Sequence, residues 1–170
     1  MGTNVVEAID KLSAAITADP SRARGKNLPA TARLTGGLRC ELTGPYNERL
    51  VTDMPPAVGG GASGPNPGWL MRGAMASCTA TVIAMRAAKL GIDLENLEVT
   101  AESDSDLRGI LGLDEAITAG HGPVRIKVKI SSPDATADVL RELVGWADAH
   151  SPVTCTVRNA PECRLEIEIV

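Results

Sequence analysis

The chain has 170 residues, long enough for one domain with a buried core, and 44% apolar and 22% charged residues are ordinary globular values. Aromatic residues reach only 2%, and the net charge is −4. Too few rings for base stacking and no basic excess for phosphates exclude a nucleic-acid partner. The chain opens with no basic segment running into an apolar stretch and cleavage site, so neither a secretory signal nor a setting other than the cytoplasm is expected.

Residues 4–17 carry Val5, Ile9, Leu12 and Ile16 at helical spacing, and Asp19-Pro20-Ser21 ends the pattern. Arg22, Arg24 and Lys26 then form a solvated linker, so residues 1–26 read as an N-terminal extension and 27–170 as the domain. Ala32 to Leu42 reads as a hairpin turning at Gly36-Gly37, with Leu38, Cys40 and Leu42 on one face and Arg39 and Glu41 on the other. Cys40 fits a small core residue. Leu50-Val51 begins a third strand after the Gly44-Pro45 turn.

Residues 53–66 form a Gly/Pro-rich loop. It lacks the Gly-Lys-Ser/Thr ending of a phosphate loop, and its prolines remove amide donors, so it reads as a tight chain crossing. Asn66 is placed to cap a long helix, Pro67 suits its first position, and Gly91 supplies its stop. No charge occurs between Arg72 and Arg86, which predicts a helix buried on most sides, with Cys78 at its middle. The uncharged run is too short and too rich in Ser, Thr and Cys for a membrane span.

Leu97 to Glu102 alternates as a half-buried strand. Asp104 and Asp106 follow without the distal glutamate of a calcium loop, so no metal site is expected. Val124, Ile126, Val128 and Ile130 alternate with Arg125, Lys127 and Lys129 in the clearest strand of the chain. A second helix starts at Ser132-Pro133-Asp134, with Val139, Leu140, Leu143, Val144 and Ala147 as its buried stripe. Ser151 is placed to cap a short helix opened by Pro152. Cys163, Leu165, Ile167 and Ile169 close the chain as a strand with Cys163 on its apolar face. The predicted class is α+β: three strands, a buried central helix, two strands, two helices and a last strand. The four cysteines show no C-x-x-C pair, so zinc-ribbon and dithiol motifs are absent and the thiols are expected to be reduced.

Four stretches in order carry a resemblance: Thr35-Gly36-Gly37, Gly59-Gly60 running to Gly64-Pro65-Asn66-Pro67, Ala76-Ser77-Cys78, and His150-Ser151-Pro152-Val153. With the phrase Leu107 to Leu113, the chain from about residue 27 onward resembles the OsmC/Ohr family of osmotically induced and organic-hydroperoxide-resistance proteins. The resemblance implies an intertwined homodimer of α+β subunits with two equivalent interface sites; no cofactor is expected. It also implies that the helix cysteine, matched by Cys78, attacks an organic hydroperoxide and becomes a sulfenic acid. A second cysteine before a proline then resolves it, a hairpin arginine and a helix-start glutamate assist, and a small or protein dithiol restores the enzyme.

Three positions depart from that pattern. The resolving-cysteine position is Ser151, the glutamate position is Gly68, and Leu38 stands where the arginine belongs, with Arg39 one residue later. An offset of one residue reverses the face of a strand, so Arg39 serves the site only if a bulge restores its direction. A peroxide-attacking thiol must ionise, and a mid-helix position gains little from the helix dipole, so a cation is required. Arg33, Arg39, Arg49 and Arg72 are the candidates, with Arg39 preferred. Cys155, one helical turn beyond Ser151, is either a displaced resolver or a small core residue, a small external thiol being the other agent for discharging the sulfenic acid.

The functional expectation is a thiol-dependent organic hydroperoxide reductase using Cys78, Arg39 and Cys155. The alternative is a non-catalytic dimer of the same fold that binds a small apolar molecule. A Cys–His hydrolase with His150 as base is weaker, because no nucleophile signature surrounds Cys78.

Overall fold

The computed structural model describes residues 3–170; residues 1 and 2 of the expected extension lie outside the described residues. The chain divides into two compact units, one ending at Gly73 and the other running over Ala74–Val170.

The first unit opens with helix α1, Thr3–Ala18, and a 3-10 turn over Pro20–Ala23 whose first amide is capped by Asp19. Strands β1 (Thr31–Gly36), β2 (Arg39–Thr43) and β3 (Arg49–Thr52) then form an antiparallel sheet in the order β1-β2-β3. Gly37, at φ +55°, makes the tight turn of the first hairpin. Leu34 faces Cys40 and Gly36 faces Arg39, so Thr35 is an extra residue on β1, a β-bulge.

The loop after β3 is organised by a carboxylate that the sequence pattern did not single out. Asp53, only 4% exposed, accepts hydrogen bonds from the Met54, Gly61 and Ser63 amides at 2.8, 3.1 and 3.0 Å and from the Ser63 hydroxyl at 2.8 Å. Four donors converging on one carboxylate satisfy backbone groups that a Gly/Pro-rich loop would otherwise leave unpaired. A side chain at Gly60 would run into the Met54 carbonyl, so the crossing is as tight as its glycines suggest.

Helix α2, Pro67–Leu90, begins in the first unit and ends in the second. Asn66 Oδ1 accepts the Trp69 amide at 2.9 Å, and Gly91 ends the helix at φ +69° with the Ile92 amide returning to the Ala87 carbonyl at 2.9 Å. Burial is narrower than the uncharged run suggested. Met75, Thr79, Ile83 and Ala87 form one fully buried stripe, whereas Ser77, Thr81 and Met85 are exposed. The Ser77 and Thr81 hydroxyls donate to the Ala74 and Ser77 carbonyls, so this face is polar without carrying charge.

In the second unit β4 (Asn96–Ser103) and β5 (Val124–Ser131) pair antiparallel over their full length. Glu98, Glu102, Lys127 and Lys129 make cross-strand ion pairs on the polar face. Between the strands lies the short helix α3, Leu107–Ile110. Helix α4, Ala137–His150, starts later than expected, capped by Thr136, and α5 spans Pro152–Arg158. Ile83 and Ala87 of α2 meet Leu140, Leu143 and Ala147 of α4 in the core, with Val99 and Val128 of the sheet against them.

The closing segment departs from expectation. Residues 160–170 form no strand, and Leu165, Ile167 and Ile169 are 85%, 76% and 92% exposed. Cys163 is exposed with them rather than packed in a core. The alternation is present, but a strand exists only where another strand accepts its hydrogen bonds, and no strand among the described residues pairs with this segment.

Asp53 links the loop to pH. The Ser63 amide and hydroxyl, followed by the Met54 and Gly61 amides, hold its carboxyl below the ordinary range against the opposing effect of burial. A carboxyl whose pKa is lower folded than unfolded stabilises fully above the unfolded value of about 3.9 and loses that contribution as pH falls through the folded value. Amide exchange protection at Gly61 and Ser63 is therefore expected to hold from neutral pH down to about pH 4 and to fail only below it. Loss of protection already near pH 6, with the sheet intact, would contradict this role.

Candidate functional site

Cys78 lies on α2, half-buried, next to the buried Thr79. Thr79 is the polar member of an otherwise apolar stripe and therefore needs hydrogen-bond partners. Ser151 and Thr154 supply them from the junction of α4 and α5. Thr79 Oγ1 is 3.4 Å from Ser151 Oγ and 3.2 Å from Thr154 Oγ1, and Ser151 Oγ donates to Thr154 Oγ1 at 3.2 Å. Each hydroxyl offers one proton and can accept another, so the three close a ring with no donor left over. Ser151 is 0% exposed. Its hydroxyl is in this ring instead of on an α5 amide, so it stands at the N-cap without capping.

The other candidates of the second unit have different surroundings. Cys155 is half-buried on α5, and its thiol donates to the Ala149 carbonyl at 3.3 Å and, more weakly, to the Asp148 carbonyl at 3.9 Å. These are open carbonyls of the last turn of α4, so the thiol caps that helix rather than joining the hydroxyl ring. His150 stacks on Trp146 with ring centroids 4.0 Å apart, and its Nδ1 lies 2.7 Å from the Trp146 carbonyl. A carbonyl only accepts, so this nitrogen carries the proton. The Arg86 guanidinium lies over the Trp146 ring at 4.5 Å, and its buried Nε has no hydrogen-bond partner. All four cysteines are free.

In the first unit Arg39 projects from β2 on the same side as Glu41, as the alternation requires. Its Nη1 donates to Glu41 Oε1 at 3.1 Å and to Thr35 Oγ1 at 2.7 Å, and the Thr35 hydroxyl donates to the Arg39 carbonyl at 3.3 Å. The bulge falls at Thr35 on β1, so β2 keeps its alternation and the extra residue supplies an acceptor for Arg39. Gly68 offers no carboxylate, and the guanidinium is held by Glu41 of its own strand. Of the other candidate cations, Arg33 and Arg49 are exposed and Arg72 is half-buried.

Among the described residues no three His, Cys, Asp or Glu side chains gather as metal ligands, and no helix is long and apolar enough to cross a membrane. Asp106 and Asp104, the pair weighed for calcium, are engaged by Arg108 and Arg125 respectively.

A helix carrying a central cysteine, flanked in sequence by a three-stranded sheet and a two-stranded sheet, defines an α+β fold that recurs among solved structures. An organic hydroperoxide resistance protein OsmC from Legionella pneumophila matches with TM-score 0.58 and 20% identity over 79% of this chain and 91% of its own. An OsmC-like protein from Mycoplasma pneumoniae matches with TM-score 0.67 and 15% identity over 81% and 91%. An organic hydroperoxide resistance protein from Elizabethkingia anophelis matches with TM-score 0.59 and 19% identity over 81% and 91%. No curated protein sequence matches the chain. The OsmC-like protein family matches residues 59–166, more than half of the chain, and the chain belongs to that family.

The sequence pattern does not single out Thr154, Glu41 or Asp53. For Thr79 a signal was present: a threonine at four-residue spacing with Met75, Ile83 and Ala87 marks a polar group on a buried stripe. Thr79→Val keeps the branched shape and removes one hydroxyl, leaving Ser151 and Thr154 paired with each other. A loss of about 1 kcal/mol in urea unfolding is expected. Unchanged stability would mean that the ring contributes nothing.

Proposed function

We propose that this protein is a thiol-dependent organic hydroperoxide reductase whose attacking group is Cys78. The observation that carries the reading is a half-buried cysteine at the centre of α2, in a family whose structural neighbours include organic hydroperoxide resistance proteins. In the proposed reaction the Cys78 thiolate attacks one peroxide oxygen, the O–O bond breaks, and the alkoxide takes a proton and leaves as an alcohol. Cys78 becomes a sulfenic acid. A reduced, cytoplasmic setting goes with four free thiols.

A second reading has support in the same residues. Ser151 and Gly68 stand where thiol and carboxylate chemistry would be expected, which favours a non-catalytic member that binds a small apolar molecule. An open cleft of about 470 Å³ lined by Leu28, Leu42, Tyr46 and Leu50 is apolar enough for such a ligand.

We also propose that the protein works as a homodimer. The exposed alternation of Leu165, Ile167 and Ile169 supports this, as does a cleft of about 470 Å³ between β5 and α4, lined by Val128, Ile130, Leu140 and Val144. In the dimer the closing segment of one copy pairs with the other copy, burying its apolar face and satisfying its backbone.

Two measurements test these proposals. With cumene hydroperoxide and excess dithiothreitol, the wild type is expected to consume peroxide and Cys78→Ser to fall to the rate of the buffer; equal rates would leave the binding reading. Light scattering is expected to give twice the chain mass of 17.7 kDa at micromolar concentration, and a single-chain mass would refute the dimer.

A further inference from the structure

We infer that the catalytic cycle runs on one cysteine of the chain and that a small monothiol discharges the oxidised Cys78. This rests on the reading of Cys78 as the attacking thiol and adds the class of reductant. Ser151 holds the position before Pro152, and its hydroxyl is fully buried in the ring with Thr79 and Thr154. An alcohol there cannot form a disulfide. Cys155 does not stand in for it, because its thiol is turned to the Ala149 and Asp148 carbonyls. Cys163 shares the apolar face of Leu165, Ile167 and Ile169 in the closing segment, the face that the proposed dimer buries.

The consequence lies in the second half-reaction. After the peroxide step, a monothiol attacks the Cys78 sulfur; an S–S bond forms, the S–O bond breaks, and hydroxide leaves as water after taking a proton. A second monothiol attacks the outer sulfur of the mixed disulfide, releasing the Cys78 thiolate and one symmetrical disulfide. Two thiols are oxidised for each peroxide reduced, and the electrons balance. Where a chain has its own resolving thiol, that thiol expels the monothiol from the mixed disulfide, and a dithiol is needed to finish the cycle. With serine at position 151 no such back-attack occurs, so a monothiol suffices.

The experiment compares wild type and Ser151→Cys with cumene hydroperoxide, using 2-mercaptoethanol or dithiothreitol at equal thiol concentration. The wild type is expected to turn over with either reductant, and mass spectrometry should find the mercaptoethanol mixed disulfide on Cys78. Ser151→Cys is expected to form a disulfide between Cys78 and the introduced thiol, keeping dithiothreitol-driven turnover while mercaptoethanol-driven turnover falls by about tenfold or more. The wild-type mixed disulfide tests the inference even if the variant does not fold. A wild-type bridge from Cys78 to Cys40, Cys155 or Cys163, with turnover on dithiothreitol alone, would overturn the one-cysteine cycle and leave the peroxidase standing. An unmodified Cys78 with no peroxide loss under either reductant would overturn both.

Discussion

The second unit depends on keeping one threonine hydroxyl satisfied inside an apolar seam. Met75, Thr79, Ile83 and Ala87 are the buried stripe of α2, and Ile83 and Ala87 pack against α4. Thr79 would be a liability in that stripe without Ser151 and Thr154, since an unpaired buried hydroxyl costs more than a typical hydrogen bond contributes. The ring of three hydroxyls ties the α4–α5 junction to the turn of α2 that carries Cys78. The same tie takes Ser151 away from helix capping, and Pro152 softens that loss because it brings no amide to cap at the first position.

The first unit reaches order by a different route, with charge in place of apolar packing. Asp53 gathers the Gly/Pro-rich loop and Glu41 gathers Arg39, each carboxylate replacing contacts that a larger aromatic core would make. With 2% aromatic residues, the sheet has few large side chains to lock a loop in place. Glu41 also changes how the chain's departures are understood. Gly68 removes a partner for an arginine, but the arginine already has one on its own strand.

Much of the fold was legible in the residues, and the exceptions have physical causes. The α2 caps, the glycine hairpin and the β5 alternation are local signals, and each maps onto the structure directly. The bulge at Thr35 was not legible, because a single extra residue leaves no periodicity to detect. The last strand was read from a correct alternation, yet alternation specifies a face and not a partner, and Leu165 to Ile169 find no partner strand among the described residues. The candidate thiol Cys78 was legible from its place in an uncharged helix. The directions of Ser151 and Cys155 were not, because residues four apart on a short helix share a face without making the same contacts.

In the reaction we propose, α2 and its surroundings make one thiol of four reactive toward organic hydroperoxides. Exposure does not separate Cys78 from Cys40 and Cys155, since all three are half-buried. Residue-resolved mass spectrometry after less than one equivalent of cumene hydroperoxide compares them within one molecule. Cys78 is expected to be oxidised before Cys40 and Cys155. Oxidation led by either of these, with Cys78 still a thiol, would contradict a reactive Cys78.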